Sequence, residues 1–161
     1  MKGFHRDPLA HPEDLIRHVY AYAAYRLGDG HDAEDVTSEV FERAIRYRRS
    51  YDRSKGEPLG WLLGIARRCA DDALAKRPRD EAEPEEIAAV GSVEDDTVRR
   101  VTLDAALAQL SERDQELIAL RYGAELSQAE IGTALGISQM HVSRLLARTL
   151  AQLREGLLAE D

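Results

Sequence analysis

Residues 126–146 read Leu126-Ser-Gln-Ala-Glu-Ile-Gly-Thr-Ala-Leu-Gly-Ile-Ser-Gln-Met-His-Val-Ser-Arg-Leu-Leu146. Two helices cross steeply only when several conditions hold together, and this stretch meets all of them. Ser127 followed by Glu130 is a capping box that opens the first helix. Ile131 and Leu135 are its inward apolar residues. Gly132 is the small residue at the crossing. Gly136 supplies the left-handed turn, and Ile137 plugs the corner. Ser138 caps the second helix, whose own stripe is Val142 and Leu145. The reading is a helix-turn-helix. A plain αα-hairpin with a solvated outer face is the alternative, but it gives no reason for these features to coincide.

The second helix leaves Ser138, Gln139, Met140, His141, Ser143, Arg144 and Arg148 at its start or away from the core. A helix of this kind sets its N-terminal residues against base edges in the DNA major groove. Gln and Arg carry the bidentate patterns that suit adenine and guanine. Arg144 and Arg148, four apart, share one face. These seven residues form the first candidate site, a duplex-DNA reader.

Outward from this motif the regular elements all read as helix. Toward the C-terminus the second helix continues to about Leu158. Before it, Val101 to Leu110 carries the stripe Leu103, Ala106, Leu107 and Leu110, and Ser111 caps a helix from Glu112 to Tyr122. Near the N-terminus, Glu13 to Leu27 has Leu15, Ile16, Val19, Tyr20, Ala23 and Leu27 near helical spacing, and Gly28-Asp29-Gly30 ends it. Asp32 is the expected N-cap of the next helix, with the stripe Val36, Val40, Phe41, Ala44 and Ile45. A third helix runs from about Leu59 to Lys76, where Pro78 stops it. No stretch reads as a strand, so the expected class is all-α.

The net charge of −8 over 161 residues is unusual for a DNA binder, and its distribution explains it. Residues 79–98 hold one Arg and eight acidic residues, so they carry −7 of that charge. The parts on either side are nearly neutral, with their cations clustered, and local cation density decides phosphate contact. The acidic stretch reads as a self-repelling linker. The expected organisation is therefore two small helical domains, 1–78 and 99–161, joined by an acidic linker over 79–98.

Composition excludes several function classes. With 43% hydrophobic and 32% charged residues the chain is globular rather than disordered. No apolar stretch approaches the roughly 20 residues of a membrane span, and residues 1–12 lack a signal-peptide core. A cytoplasmic location without membrane insertion is expected. Cys69 is the only cysteine, which rules out an internal disulfide or a cysteine-rich zinc site. It reads as a small buried apolar residue, with a redox sensor as the weaker alternative. His5, His11, His18, His31 and His141 are scattered, and none is assigned to a metal. Hydrolase and phosphate-loop signatures are absent. No catalytic residue, metal or cofactor is expected, and the chain is not read as an enzyme.

Two further groups remain. Arg43, Arg46, Arg48, Arg49, Arg53 and Lys55 are interleaved with Tyr47 and Tyr51. They read either as a solvated basic loop or as a single-strand-binding surface, where cations track phosphates and aromatics stack on unpaired bases. Glu34, Asp35, Glu39 and Glu42 read as a solvated acidic helix face; no histidine stands beside them at a ligand spacing. Trp61 is the sole tryptophan. It reads as a core residue that also anchors the helix bearing Arg67, Arg68, Lys76 and Arg77.

These motifs carry a family resemblance. Ala105-Leu-Ala-Gln-Leu-Ser-Glu-Arg-Asp, Leu117-Ile-Ala-Leu-Arg-Tyr and residues 126–154 resemble the −35-reading domain of bacterial sigma factors. The run Gln139-Met-His-Val-Ser-Arg-Leu-Leu-Ala-Arg is similar to the stress and sporulation group. Asp32-Ala-Glu-Asp-Val-Thr-Ser-Glu-Val-Phe-Glu-Arg-Ala resembles the polymerase-binding helix of extracytoplasmic-function (ECF) sigma factors. Trp61-Leu-Leu-Gly-Ile-Ala-Arg-Arg, with Asp72 and Lys76-Arg77, resembles their −10-reading helix. Ser38, Ile45 and Arg68 stand where that family more often has Gln, a large aromatic and Asn.

The resemblance implies an alternative sigma factor that binds core RNA polymerase and promoter DNA, initiates transcription, and answers to an anti-sigma protein. It assigns the −35 element to the seven residues above. Arg48, Arg49, Tyr51, Trp61, Arg67, Arg68, Lys76 and Arg77 go to the −10 element and its melting. Glu34, Asp35, Glu39, Val40, Phe41 and Arg43 go to polymerase. The rival is a conventional helix-turn-helix regulator whose N-terminal helices dimerise or sense a ligand.

Overall fold

The computed structural model describes residues 7–28, 30–78 and 103–158. Among these there are helices and turns and no strand. Helix α1 spans Pro12–Leu27, α2 His31–Arg46 and α3 Pro58–Ala75, with 3₁₀ turns at Arg48–Ser50 and Arg53–Lys55 between the last two. In the C-terminal half, α4 covers 103–108 and α5 Glu112–Ile118. A π turn follows at Ala119–Gly123, then α6 at Gln128–Leu135 and α7 at Gln139–Leu158. The expected linker, 79–98, lies outside the described residues, as does the start of the helix expected from Val101.

The boundaries have local causes. Pro12 and Pro58 sit in the first turns of α1 and α3, where a missing N–H costs nothing. Ser111 Oγ accepts from the Asp114 N–H at 3.2 Å and caps α5. The expected capping box of α6 is complete: Ser127 Oγ accepts from the Glu130 N–H, and the Glu130 carboxylate accepts from the Ser127 N–H. Helix α2 departs from expectation. Gly30, at φ 129°, is its N-cap, and Asp32 lies inside the first turn. There the Asp32 carboxylate meets the positive end of the helix dipole and accepts from Arg77 at 2.7 Å.

In the N-terminal half, α1, α2 and α3 pack around Val19, Ala23, Val36, Val40, Ala44, Leu62, Leu63 and Ala66, all buried. Ile45, expected in the stripe of α2, is instead 58% exposed at the helix end. In the C-terminal half, Leu117, Leu120, Leu126, Ile131, Val142 and Leu146 fill the core. The two cores form one apolar cluster, because α1 packs against α5 and the π turn as well as against α2 and α3.

Gly123 marks the closest approach of the halves. A Cβ placed there would stand 2.9 Å from the Ala21 carbonyl oxygen and the Tyr22 nitrogen. A polar chain runs along the same seam. Arg26 donates to Asp71 (2.8 Å) and to the Tyr22 hydroxyl (2.9 Å), Tyr22 donates to Glu116 (3.4 Å), and Arg67 Nε donates to Glu116. Burial pushes the Tyr22 phenol well above its ordinary range, which keeps it a donor.

Glu125, at φ 57°, brings its carboxylate to His18 Nε2 at 3.0 Å. The hydrogen bond and charge of His18 hold the Glu125 carboxyl below the usual carboxylate range. A depressed carboxylate stabilises above its unfolded value, and the gain disappears as pH falls through the folded value. Glu125→Gln is therefore expected to flatten the acid limb of the stability–pH curve. Urea titrations across the carboxylate range would show this; an unaltered limb would mean the pair adds nothing.

Candidate nucleic-acid interface

The helix-turn-helix has the geometry its sequence requires. Gly136 adopts φ 71°, ψ 31° at the C-cap of α6, a left-handed residue that any side chain would strain. Gly132 lies under the turn, where an added Cβ would stand 2.7 Å from the Ile137 carbonyl oxygen. The atoms it would meet are backbone of residues 137–139, which leaves little room to yield. Gly132→Ala is expected to destabilise the fold by about 1–3 kcal/mol, read as a lower denaturation midpoint at unchanged slope. Wild-type stability would mean the crossing is looser than this.

Val142, Leu145 and Leu146 anchor α7 to the core. Gln139, Met140, His141, Ser143, Arg144 and Arg148 all lie exposed, and Met140 is 69% accessible. Ser138 Oγ accepts from the His141 N–H at 3.1 Å, so this side chain is engaged as the cap. Arg144 and Arg148 have no protein partner among the described residues. Two unneutralised guanidiniums one turn apart on an open helix face match the phosphates and base edges of a duplex groove.

The basic segment between α2 and α3 is folded rather than open. Asp52 accepts from the backbone and hydroxyl of Ser54 at 2.9 and 2.7 Å. Tyr51 donates to the Gly56 carbonyl at 2.8 Å, and its ring lies 5.5 Å from that of Trp61 at 59°. Trp61 is half-buried, part core and part surface. Arg48 and Arg49 stand exposed on the first 3₁₀ turn. Beside them Tyr47, 53% exposed, is the aromatic face the loop leaves most open. Its place in a basic, aromatic run was the only sequence signal for it.

The four cations on α3 and just after it divide into two pairs. Arg68 and Lys76 are exposed without a protein partner among the described residues. Arg77 donates to Asp32 and to the Leu27 carbonyl, tying α3 to the end of α1. Arg67 turns into the seam, to Glu116 and to the Ala134 carbonyl at 3.0 Å. Sequence spacing could not reveal this, since Glu116 and Ala134 lie far along the chain.

On α2, Glu34 and Asp35 are exposed, Glu39 pairs with Arg43 at 2.5 Å, and Phe41 is half-buried. Val40, one of the sequence-based set, is 0% exposed and supports this face from beneath. Behind the face, Asp35, Glu39, Arg43, Cys69, Asp72 and Lys76 line a groove between α2 and α3. Cys69 is buried, and burial pushes its thiol up, away from the reactive thiolate. Among the described residues no three metal-ligating side chains converge, and no helix is long and apolar enough to cross a membrane.

Known proteins carry the same two parts. Residues 13–80 match the model of Sigma-70 region 2, and residues 106–155 match that of Sigma-70, region 4. The chain belongs to the sigma-70 family. It is 58% identical over 48 residues to the RNA polymerase sigma-F factor of Kitasatospora aureofaciens, covering 30% of this chain and 16% of that one. It is 34% identical over 146 residues to the ECF RNA polymerase sigma factor BldN of Streptomyces coelicolor, covering 84% and 55%. The chain thus spans about half the length of BldN and less of sigma-F. The fold resembles that of the sigma factor RpoE of Bartonella quintana, solved with the anti-sigma factor NepR. The TM-score is 0.69 at 19% identity, over 91% of this chain and 94% of that one.

Proposed function

We propose that this chain is an alternative sigma factor of the ECF kind, which brings core RNA polymerase to a promoter and acts by binding rather than catalysis. The observation that carries this reading is the pairing of two different nucleic-acid surfaces. The α7 face, with Gln139, Arg144 and Arg148 bare, suits a duplex groove and takes the −35 element. The loop and helix from Arg48 to Arg77, where cations stand beside Tyr47, Tyr51 and Trp61, suit an unpaired strand and take the −10 element. A regulator that binds only duplex DNA has little use for stacking groups, because paired bases hide their faces.

The acidic face of α2, with Glu34, Asp35, Phe41 and the Glu39–Arg43 pair, is assigned to core polymerase. Residues 1–78 and 99–161 serve as the two functional domains and 79–98 as their connection. The chain works in the cytoplasm under an anti-sigma protein that covers its polymerase and DNA faces. Co-elution of the purified chain with core polymerase, followed by transcription from a cognate promoter, tests the whole reading. Failure to associate with core, or association without promoter-dependent transcript, would favour the operator-binding regulator.

A further inference from the structure

Met140 is the most exposed large apolar residue among the described residues, at 69%. Lone apolar residues are common on surfaces, so its placement matters more than its exposure. It stands on the first turn of α7, directly after Gln139 at the helix start. Gln139, His141, Ser143 and Arg144 around it are polar and exposed. The next large apolar residue on the outside of α7 is Leu150, about 15 Å further along the axis. On this helix the methionine therefore belongs to no apolar patch of the kind that docks a protein. The inner side of the helix is held without it, by Val142, Leu145, Leu146 and Thr149.

Met140 shares its face with Arg144. At about 100° per residue, each stands roughly 160° around the helix from the buried Val142, one on either side of the outermost line. They are four residues apart, about 6 Å along the axis. Arg144 has no protein partner among the described residues. Whatever duplex edge meets the guanidinium therefore also meets the thioether.

The chemistry of the major groove says what an apolar tip can find there. Every base pair shows hydrogen-bonding groups, and thymine alone adds a methyl group. Gln139, His141, Ser143 and Arg144 can all answer hydrogen-bonding groups. Met140 cannot, but it gains by taking a methyl group out of water, and its unbranched side chain adapts to the groove wall. Cytosine in the same place offers no methyl group and sets an amino group beside it, for which a thioether is a poor acceptor.

We propose that Met140 is a specificity-determining residue, reading one thymine of the −35 element through its C5 methyl group. The separation from Arg144 puts that thymine within about two base pairs of the one Arg144 meets, at about 3.4 Å per step. The inference rests on the −35 role given to α7 above.

The probe is a promoter duplex drawn from a library randomised across the −35 element by the full chain bound to core polymerase. Each thymine of the selected element is then replaced in turn by deoxyuridine, which pairs identically and lacks only the methyl group. One replacement is expected to weaken binding about fourfold, the factor for one buried methyl-sized group. The others should change little. With Met140→Ala the sensitive position should become indifferent to the replacement, and the library should accept cytosine there as readily as thymine. Met140→Leu, apolar and nearly as long, should keep most of the discrimination. Circular dichroism of both variants should match wild type, since the residue is exposed.

Indifference to deoxyuridine at every thymine of the selected element overturns the proposal. So does a sensitive thymine that stays equally sensitive with Met140→Ala, since its methyl group then meets another residue. In both cases the −35 role of α7 stands. A chain that selects no −35 sequence at all with core polymerase is a different result: it overturns that role, and the assignment of Met140 with it.

Discussion

Replacing Arg48 and Arg49 together with alanine is expected to remove most promoter opening while leaving polymerase association nearly intact. Both arginines stand exposed on the 3₁₀ turn after α2, beside the bare ring of Tyr47 and next to the Tyr51–Trp61 pair. Neither takes part in the core or in the acidic face of α2. Melting a duplex step requires contacts that exist only with the unpaired strand. Stacked bases supply about 1–3 kcal/mol each, and hydrogen bonds to charged groups about 1.5–3 kcal/mol. Loss of two such cation contacts, even at the low end of that range, should slow opening by more than about a hundredfold, at 1.36 kcal/mol per factor of ten. Permanganate reactivity of unpaired thymines measures it. A promoter mismatched across the −10 element should restore much of the activity, because the unpairing cost is already met. A double variant that opens promoters like wild type would move the melting role elsewhere. Wild-type chain with core polymerase that never exposes thymines would decide for the regulator.

The second large effect belongs to α7. Arg144→Ala is expected to cost about 1–3 kcal/mol of promoter affinity, or about five- to 160-fold, and to relax preference at one base pair. Its guanidinium is exposed on the helix whose N-terminal turn Ser138 fixes, and it gives up no protein partner among the described residues when it meets DNA. The stability of the fold should not change, since Val142 and Leu145 anchor the helix without it. Binding across a library of −35 sequences separates the outcomes. A uniform loss across all sequences would make Arg144 a phosphate contact, and no loss would remove it from the interface.

What the sequence disclosed and what it withheld follow from the range of the interactions. The helix-turn-helix was legible because its determinants lie within twenty-one residues: the Ser127–Glu130 box, Gly132, the left-handed Gly136 and Ile137. The same holds for Ser111 at the head of α5 and for Pro58 in the first turn of α3. Side-chain direction was less legible. Val40 and Phe41 are neighbours with similar hydropathy, and only packing decided that one is sealed and the other partly open. The seam was not legible at all. Tyr22 with Glu116, Arg67 with Glu116 and His18 with Glu125 join residues far apart in the chain. Each also reads locally as an ordinary exposed polar residue. The acidic stretch marks two parts, and no local pattern in either announces that their apolar residues join in one cluster.

The π turn at Ala119–Gly123 has a consequence for how this part of the chain tolerates change. Its signature is the Ala124 N–H bonding to the Ala119 carbonyl at 2.9 Å, one residue more than an α-helical turn encloses. That extra residue sets the rotational phase of everything after it. Each α-helical residue advances by about 100°, at 3.6 residues per turn. Deleting one residue here would let α5 run on as regular helix and swing Gly123 off α1 and Glu125 away from His18. Leu126, which enters the core directly after the turn, would swing with them. Substitutions at its exposed position, Tyr122, keep the count and preserve that phase, so that position should tolerate change more readily than the segment tolerates a change in length.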